Sequence, residues 1–257
     1  MKKIFHLSFC EFKNIYYKKP TLIFVFLSFI FILISKLISE TTAIHAEKIY
    51  WDLNLGFAFL LSTLLSIFSS TFLVHNELES ENYLMLLRLK FSEKNWLLAQ
   101  HLCCHILSLT FLLSWLGLSF LFKTDSSSKI LLDAGVAVYG LFLHTCLVNA
   151  LCIFTTLSKK FFPAMILSAL LIFFLLSLPQ FTQNSSESLT STLFNFLQRL
   201  LPSLELFNFR DFVAYETPQL FQKTLMATFH CFAWCLFFFF LSYKRLRNHF
   251  KLRQRCR

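Results

Sequence analysis

The side chains best suited to metal chemistry in this chain stand together in the run HLCCH, His101 to His105. His101 and His105 are one helical turn apart, so both imidazoles can face one ion, and Cys104 lies beside them. A protein metal site needs three or four ligands, and no fourth ligand is evident. We therefore assign no metal site and keep His101, Cys104 and His105 as weak candidates for a metal or haem contact.

The remaining cysteines favour packing over chemistry. Cys231 and Cys235 stand beside His230 in an apolar segment, where cysteine packs well as a small apolar residue. All eight cysteines fall in apolar segments or in segments assigned to the cytoplasm, which argues against a disulfide framework.

Motifs for catalysis and for nucleotide binding are missing from the sequence. It has no G-x-x-x-x-G-K-[ST], G-x-S-x-G, H-E-x-x-H or C-x-x-C, and its four glycines all lie in apolar blocks. The chain therefore cannot cradle nucleotide phosphates itself, and we predict that it is not an enzyme and holds no cofactor. If ATP drives its activity, a partner subunit binds the ATP.

The elements that carry these residues are predicted to be membrane helices. The 257 residues are 56% hydrophobic and only 15% charged, and they include 35 phenylalanines. This composition is typical of an all-α polytopic membrane protein, here a single domain over 1–257. Six apolar blocks predict transmembrane helices at about 21–38, 54–74, 96–122, 130–157, 161–178 and 224–243.

The distribution of basic residues predicts the orientation of the helices. With these six spans, 17 of the 24 Lys and Arg residues fall on one side, including the basic tail 244–257. The positive-inside rule then places both termini in the cytoplasm. Topology accounts for the net charge of +10, so we do not assign nucleic acid as a partner.

Two segments outside the spans are predicted to lie in the membrane interface. In residues 1–19, Phe5, Phe9, Phe12 and Tyr16 recur at helical spacing opposite lysines, as in an interfacial helix on an anionic leaflet. The outer segment 179–223 keeps many Leu and Phe residues, which predicts two short interfacial helices before the sixth span.

The stretch His75 to Gln100 is the longest polar interruption between apolar blocks on the predicted cytoplasmic side. It carries four glutamates together with Arg88, Lys90 and Lys94, and the residues after Asn82 form a short, crowded amphipathic segment. Such a segment lies along a membrane surface or against a partner.

Within the spans, Asp133 lies near the outer end of the fourth, while His144 and Asn149 lie deeper and are expected to form hydrogen bonds between helices.

This layout resembles a type-2 ABC transporter permease, and the stretch after the second span sharpens the resemblance. In the branch associated with multicopper enzyme maturation and gliding-type systems, that segment reads N-E-I-E-x-x-T, a leucine-bearing turn, P-[IV]-S-R and [IL]-L-G-K. The matching positions are Asn76, Glu77, Leu78, Glu79, Leu87, Ser92 and Leu98. Leu201 to Asn208 is similar to the P-x-x-E-x-F-N piece of the outer segment. The chain departs from the pattern at Asn82, Lys90, Glu93, Ala99 and Gln100.

The resemblance implies a membrane-spanning subunit of an exporter, assembled as a homodimer or heterodimer with separate ABC ATP-binding subunits. Residues 75–95 would be a coupling segment seated in a groove on the ATPase. Its acidic residues Glu77, Glu79 and Glu81 would face basic residues of that subunit, and Leu84, Leu87 and Phe91 would be the apolar anchor. The cargo would be amphipathic or hydrophobic, because the spans hold few charges.

Three alternatives to this interpretation remain open. The stretch from His75 to Gln100 could be a solvated loop that packs on its own bundle. The protein could be a membrane scaffold or assembly factor that transports nothing. It could also be a haem- or metal-handling protein that uses His101, Cys104 and His105.

Overall fold

The computed structural model of the chain describes residues 2–16, 18–41, 46–79, 92–122, 128–157, 160–184, 196–197, 201–209 and 220–255. These residues are almost entirely helical, and they include no strand. In chain order the helices are α1 (Lys2–Tyr16), α2 (Lys19–Thr41), α3 (Ala46–Glu79), α4 (Glu93–Leu121), α5 (Ser128–Thr156), α6 (Phe161–Asn184) and α7 (Leu220–Arg255), with a 3-10 helix at Leu204–Phe207.

Six of these helices, α2 to α7, are long and apolar enough to cross a membrane. Helices satisfy their own backbone groups, which hydrocarbon cannot do, and this explains why apolar blocks of this length adopt them. The prediction of an all-α polytopic membrane protein is confirmed. Six crossings return the chain to the side from which it starts. We call the side of both chain ends the near side and the opposite one the far side.

Helices α3 and α5 form the centre of the bundle. In their apolar windows 67% and 83% of residues are buried, against 22% in α2, 28% in α6 and 17% in α7. The outer helices present large apolar side chains such as Phe173 and Phe229 on their surfaces, as lipid contact requires. Polar side chains on α3 and α5 must therefore find partners inside the protein.

Every membrane helix extends beyond the span expected from the sequence at one end or both, as α3 and α6 illustrate. Helix α3 begins at Ala46 rather than Asn54 and continues past Val74 to Glu79. Helix α6 continues through Pro179 to Asn184, whereas the sequence placed this proline after the span. Pro179 removes one backbone donor, a loss that membrane helices tolerate when neighbouring groups compensate.

Helix α1 packs against α4 along a narrow face. Ser8, Glu11 and Ile15 are buried on that face, while Phe5 and Phe9 are exposed. The Ser8 hydroxyl donates a hydrogen bond to the Ala99 carbonyl, at 3.1 Å. The exposed phenylalanines are available to the membrane interface, in keeping with the predicted interfacial helix.

Several predicted segments fall wholly or partly outside the described residues. Glu81, Leu84, Leu87 and Phe91 lie there, as does most of the first short outer helix expected between Leu189 and Leu201. The second outer piece contains the 3-10 helix at Leu204–Phe207. The described part of the basic tail continues the last helix to Arg255.

Candidate functional site

A row of buried polar side chains, which we call the polar seam, follows the junction of α3, α4 and α5. Its members are Tyr50, Asn54, Thr63, Ser66, Ser70, Ser108, Trp115, Ser119, His144 and Asn149. Each has at least one hydrogen bond that joins two helices or fixes another member of the row. The seam therefore sets how the three helices pack.

The far part of the seam centres on Asn54. Its Nδ2 donates to Ser119 Oγ at 2.7 Å, and its Oδ1 accepts from Trp115 Nε1 at 2.9 Å. The Tyr50 hydroxyl donates to the Ser119 carbonyl at 2.7 Å. Both ends of the Asn54 amide are thus used, which is how a buried amide avoids a desolvation cost.

The middle of the seam centres on Asn149. Its Oδ1 accepts from Ser70 Oγ at 2.6 Å, and its Nδ2 donates to Ser108 Oγ at 3.1 Å. Closer to the far side, Thr63 Oγ1 and His144 Nε2 are 3.0 Å apart. These contacts confirm the expectation that His144 and Asn149 form hydrogen bonds between helices.

Sequence inspection missed most of the seam. Serine and threonine are common in membrane helices, so single positions such as Ser66 or Ser108 gave no signal. A signal was present in their spacing, because Asn54, Ser62, Ser66 and Ser70 recur at helical intervals on α3. This row of small polar residues on one face predicts a helix interface inside the membrane.

At the near end of the seam, the structure separates two glutamates that the sequence assigned to one partner surface. Glu77 is 5% exposed and contacts Glu11 of α1 through a side-chain hydrogen bond. Glu79 points outward with 70% of its side chain exposed, and its Oε2 lies 3.2 Å from His75 Nε2. Only Glu79 of this pair therefore offers a carboxylate to a binding partner.

A groove of about 390 Å³ opens beside Glu79 on the near side. It lies between the end of α3 and the start of α6, and His75, Asn76, Lys160 and several aromatic rings line it. Lys18 lies 4.2 Å above the ring of Phe72 at the same place. The groove contains Glu79, the last described residue before 80–91 in the sequence, and it is rich in aromatic side chains, as protein-binding surfaces are.

His101, Cys104 and His105 lie within about one turn of each other in α4. The two imidazole centroids are 5.9 Å apart, and the ring of His101 also packs against Phe239 of α7. Within the described ranges, no group of three or more His, Cys, Asp and Glu residues is placed to hold a metal ion. The described cysteines, Cys231 and Cys235 included, are free thiols.

The near end of α4 also holds polar atoms without partners. Gln100 is fully buried, and neither its Oε1 nor its Nε2 has a hydrogen-bond partner in the described part of the chain. His101 Nε2 and His105 Nδ1 also lack a hydrogen-bond partner among the described residues. Unpaired buried amides are costly, so this end of the bundle is less well satisfied than the seam, in which His144 Nδ1 alone lacks a partner among the described residues.

A cavity of about 330 Å³ lies at the far end, between α3, α5, α6 and residues 201–209. Its wall is mostly apolar, with Leu55 and Phe59 from α3 and Ala137 from α5, and the amides of Gln180 and Asn208 add polar groups. No charged side chain lines it among the described residues. The wall suits a neutral molecule with an apolar body and a hydrogen-bonding end.

Residues 201–209 reach into the far end of the bundle beside this cavity. Leu204, Phe207 and Phe209 are buried, and the ring of Phe209 and the carbonyl of Phe207 approach Gly140 of α5 so closely that a Cβ there would collide with both. The backbone N–H of Ser203 donates to Nε2 of His230 in α7, at 3.1 Å. This segment is thus packed into the bundle.

Comparison of the chain with models of known protein families and with curated proteins finds no match.

Proposed function

We propose that this protein is the membrane-spanning subunit of an ATP-driven ABC exporter in the bacterial cytoplasmic membrane. The near side would face the cytoplasm, and a separate ABC ATP-binding subunit would bind and hydrolyse ATP there. The chain would act as a permease homodimer or heterodimer in the bilayer, without a cofactor or catalytic residue of its own. The cargo would be a neutral amphipathic or hydrophobic molecule.

The observation that carries this proposal is the continuity of α3. One uninterrupted helix of 34 residues, about 50 Å long, bears Glu79 at its near end and part of the cavity wall at its far end. A regular helix transmits displacement along its axis. Movement of a partner at Glu79 would therefore reach Leu55 and Phe59 in the cavity.

The near-side groove supports the same proposal. The segment that resembles a coupling segment begins at the end of α3 and ends at the start of α4, so both flanking helices belong to the polar seam. An ATPase seated beside Glu79 and Lys160 would contact the end of α3 and the start of α6 at once. Glu77 would not touch the ATPase but would tie the end of α3 to α1.

The cavity supports a cargo with little charge. Transfer of an ion into a site without opposite charges is strongly unfavourable, and the cavity wall supplies only amides and apolar groups. The Gln180 amide can bind a hydroxyl or carbonyl group of the cargo.

A charge reversal at Glu79 tests the proposal. The tagged protein is purified from its native membranes in mild detergent, and ATP hydrolysis and bound subunits are measured. We expect ATP-hydrolysing subunits to co-purify with the wild type, and about tenfold less of them to co-purify with Glu79→Lys. A tenfold loss corresponds to ~1.4 kcal/mol of binding free energy. Glu40→Lys is the matched control, because Glu40 is also exposed but lies at the far end of α2.

One result would contradict the proposal as a whole, and another would contradict the role of Glu79 in it. Wild-type protein without any co-purifying ATPase would favour a membrane scaffold. Equal recovery of ATPase with Glu79→Lys and with the wild type would remove Glu79 from the interface.

A further inference from the structure

The contact between Glu11 and Glu77 joins two acidic side chains in the protein interior. Glu11 is 9% exposed and Glu77 is 5% exposed, and their carboxyl groups form a side-chain hydrogen bond. An ionised carboxylate can only accept hydrogen bonds. One of the two groups must therefore carry a proton for the contact to exist.

Within the described residues, three elements bring titratable groups to this contact. Helix α3 supplies Glu77, the α1–α2 junction supplies Lys18, and α4 supplies the thiols of Cys103 and Cys104. Burial, and after it repulsion from Glu77, raises the pKa of Glu11 above its ordinary value of 4.5, while Lys18 acts in the opposite direction. Lys18 also lies over the ring of Phe72, so its charge interacts with that ring as well as with Glu11.

Glu11 occupies the middle of the face by which α1 docks on the bundle. Ser8 and Ile15, its neighbours on that face, are uncharged and buried. Of the α1 side chains that the structure describes, Glu11 is the one buried group that can ionise. A second charge at the contact would place two adjacent carboxylates out of water, which is strongly unfavourable.

We propose that Glu11 and Glu77 share one proton, and that this shared proton holds α1 on the near end of the bundle. Loss of the proton leaves two carboxylates that repel each other, and α1 then separates from α4. The contact thus acts as a proton-dependent latch for the helix that precedes the first span. It does not depend on the proposed transport function, since it involves only groups within this chain.

The latch also connects to the partner-facing end of α3. Glu77 lies two positions before Glu79, so release of α1 would free the helix end that carries the exposed carboxylate. Protonation would fix that end, and deprotonation would loosen it.

Natural cysteines allow a direct test with the full chain. Cys103 is fully buried and lies one turn after Ala99, the residue to which Ser8 of α1 is bonded, so α1 covers it. Cys10 is exposed on α1 and serves as the reference thiol. Cys152 is fully buried in α5, and its labelling checks that the bundle stays folded.

The purified protein is labelled with N-ethylmaleimide at about pH 6 and about pH 9, values on either side of a moderately raised carboxyl pKa, and each cysteine is quantified by mass spectrometry. Between these two pH values, we expect the ratio of Cys103 labelling to Cys10 labelling to rise about tenfold more in the wild type than in Glu11→Gln. A factor of ten corresponds to one pKa unit. Glutamine keeps the hydrogen bond but cannot ionise. Because the wild type and the variant are compared at the same pH, the effect of pH on the reactivity of the thiols themselves cancels. Glu77→Gln should behave like Glu11→Gln, so either variant suffices.

Two results would overturn the latch. An equal rise of Cys103 labelling in the wild type and in the glutamine variants would assign the pH effect to another group. A wild-type ratio that does not change with pH would show that ionisation at Glu11 does not move α1.

Discussion

The polar seam and the near end of the bundle contain similar side chains in very different states. Asn149 uses both ends of its amide between α3, α4 and α5, at 2.6 and 3.1 Å. Gln100 is equally buried, yet both ends of its amide lack a partner among the described residues. The same functional group therefore stabilises one region and is a cost in the other.

This difference indicates which region is fixed and which can change. Fully satisfied polar networks specify one packing arrangement, whereas partly satisfied ones cost free energy that another arrangement can recover. The seam, in which only His144 Nδ1 lacks a partner among the described residues, fixes the three central helices. The near end, with Gln100, His101 and the Glu11–Glu77 contact, is the region where rearrangement costs least.

The largest effect is expected where the fixed region meets residues 201–209. Gly140→Val places methyl groups where the ring of Phe209 and the carbonyl of Phe207 lie, so the segment must move. We expect a loss of about 1–3 kcal/mol in unfolding free energy, the usual cost of overpacking. Unfolding by SDS in mixed micelles, followed by circular dichroism, measures it. Gly135→Val is the control, because a Cβ at Gly135 meets nothing within 4 Å.

The seam itself is tested by Asn149→Leu. The change removes two hydrogen bonds between helices and leaves the hydroxyls of Ser70 and Ser108 without this partner. Such bonds in membrane proteins average about 0.6 kcal/mol each, so we expect a loss of about 1–2 kcal/mol. The same unfolding measurement applies. An unchanged free energy would mean that the seam does not hold the helices together.

The fold was largely readable from the sequence, because hydrophobic length alone specifies membrane helices. The ends of the helices were not, since packing rather than composition extends α3 to Ala46 and Glu79 and carries α6 past Pro179. Hydrogen bonds of His144 and Asn149 were expected because polar groups deep in a membrane need partners.

The near end was harder to predict. Glu77 was expected at a partner surface because it stands in a charged stretch beside Glu79. The structure buries it against Glu11, a residue that is far away in sequence and lies on the buried face of α1. Periodicity within one segment cannot reveal a contact between two segments.

Stability should depend on pH through Glu11. The raised pKa means that the folded protein binds the proton more tightly than the unfolded chain. Raising the pH from 4.5 through the folded pKa therefore favours unfolding, by on the order of 1 kcal/mol. The measurement is the unfolding free energy of the wild type against pH. In Glu11→Gln this decline should be absent, and an undiminished decline would contradict the assignment to Glu11.

The smallest effect, with the opposite sign, is expected for Gln100→Leu. Leucine is close to glutamine in volume, and it replaces two unpartnered polar atoms by apolar ones in a fully buried position. Removing a buried polar group that has no partner stabilises a protein, here by up to about 1 kcal/mol. Measured beside Asn149→Leu, this change tests the same replacement of a buried amide by leucine at two positions. The expected changes in unfolding free energy have opposite signs. A loss of stability at Gln100 comparable to that at Asn149 would mean that Gln100 has a hydrogen-bond partner in the membrane, and the near end would then be as fixed as the seam.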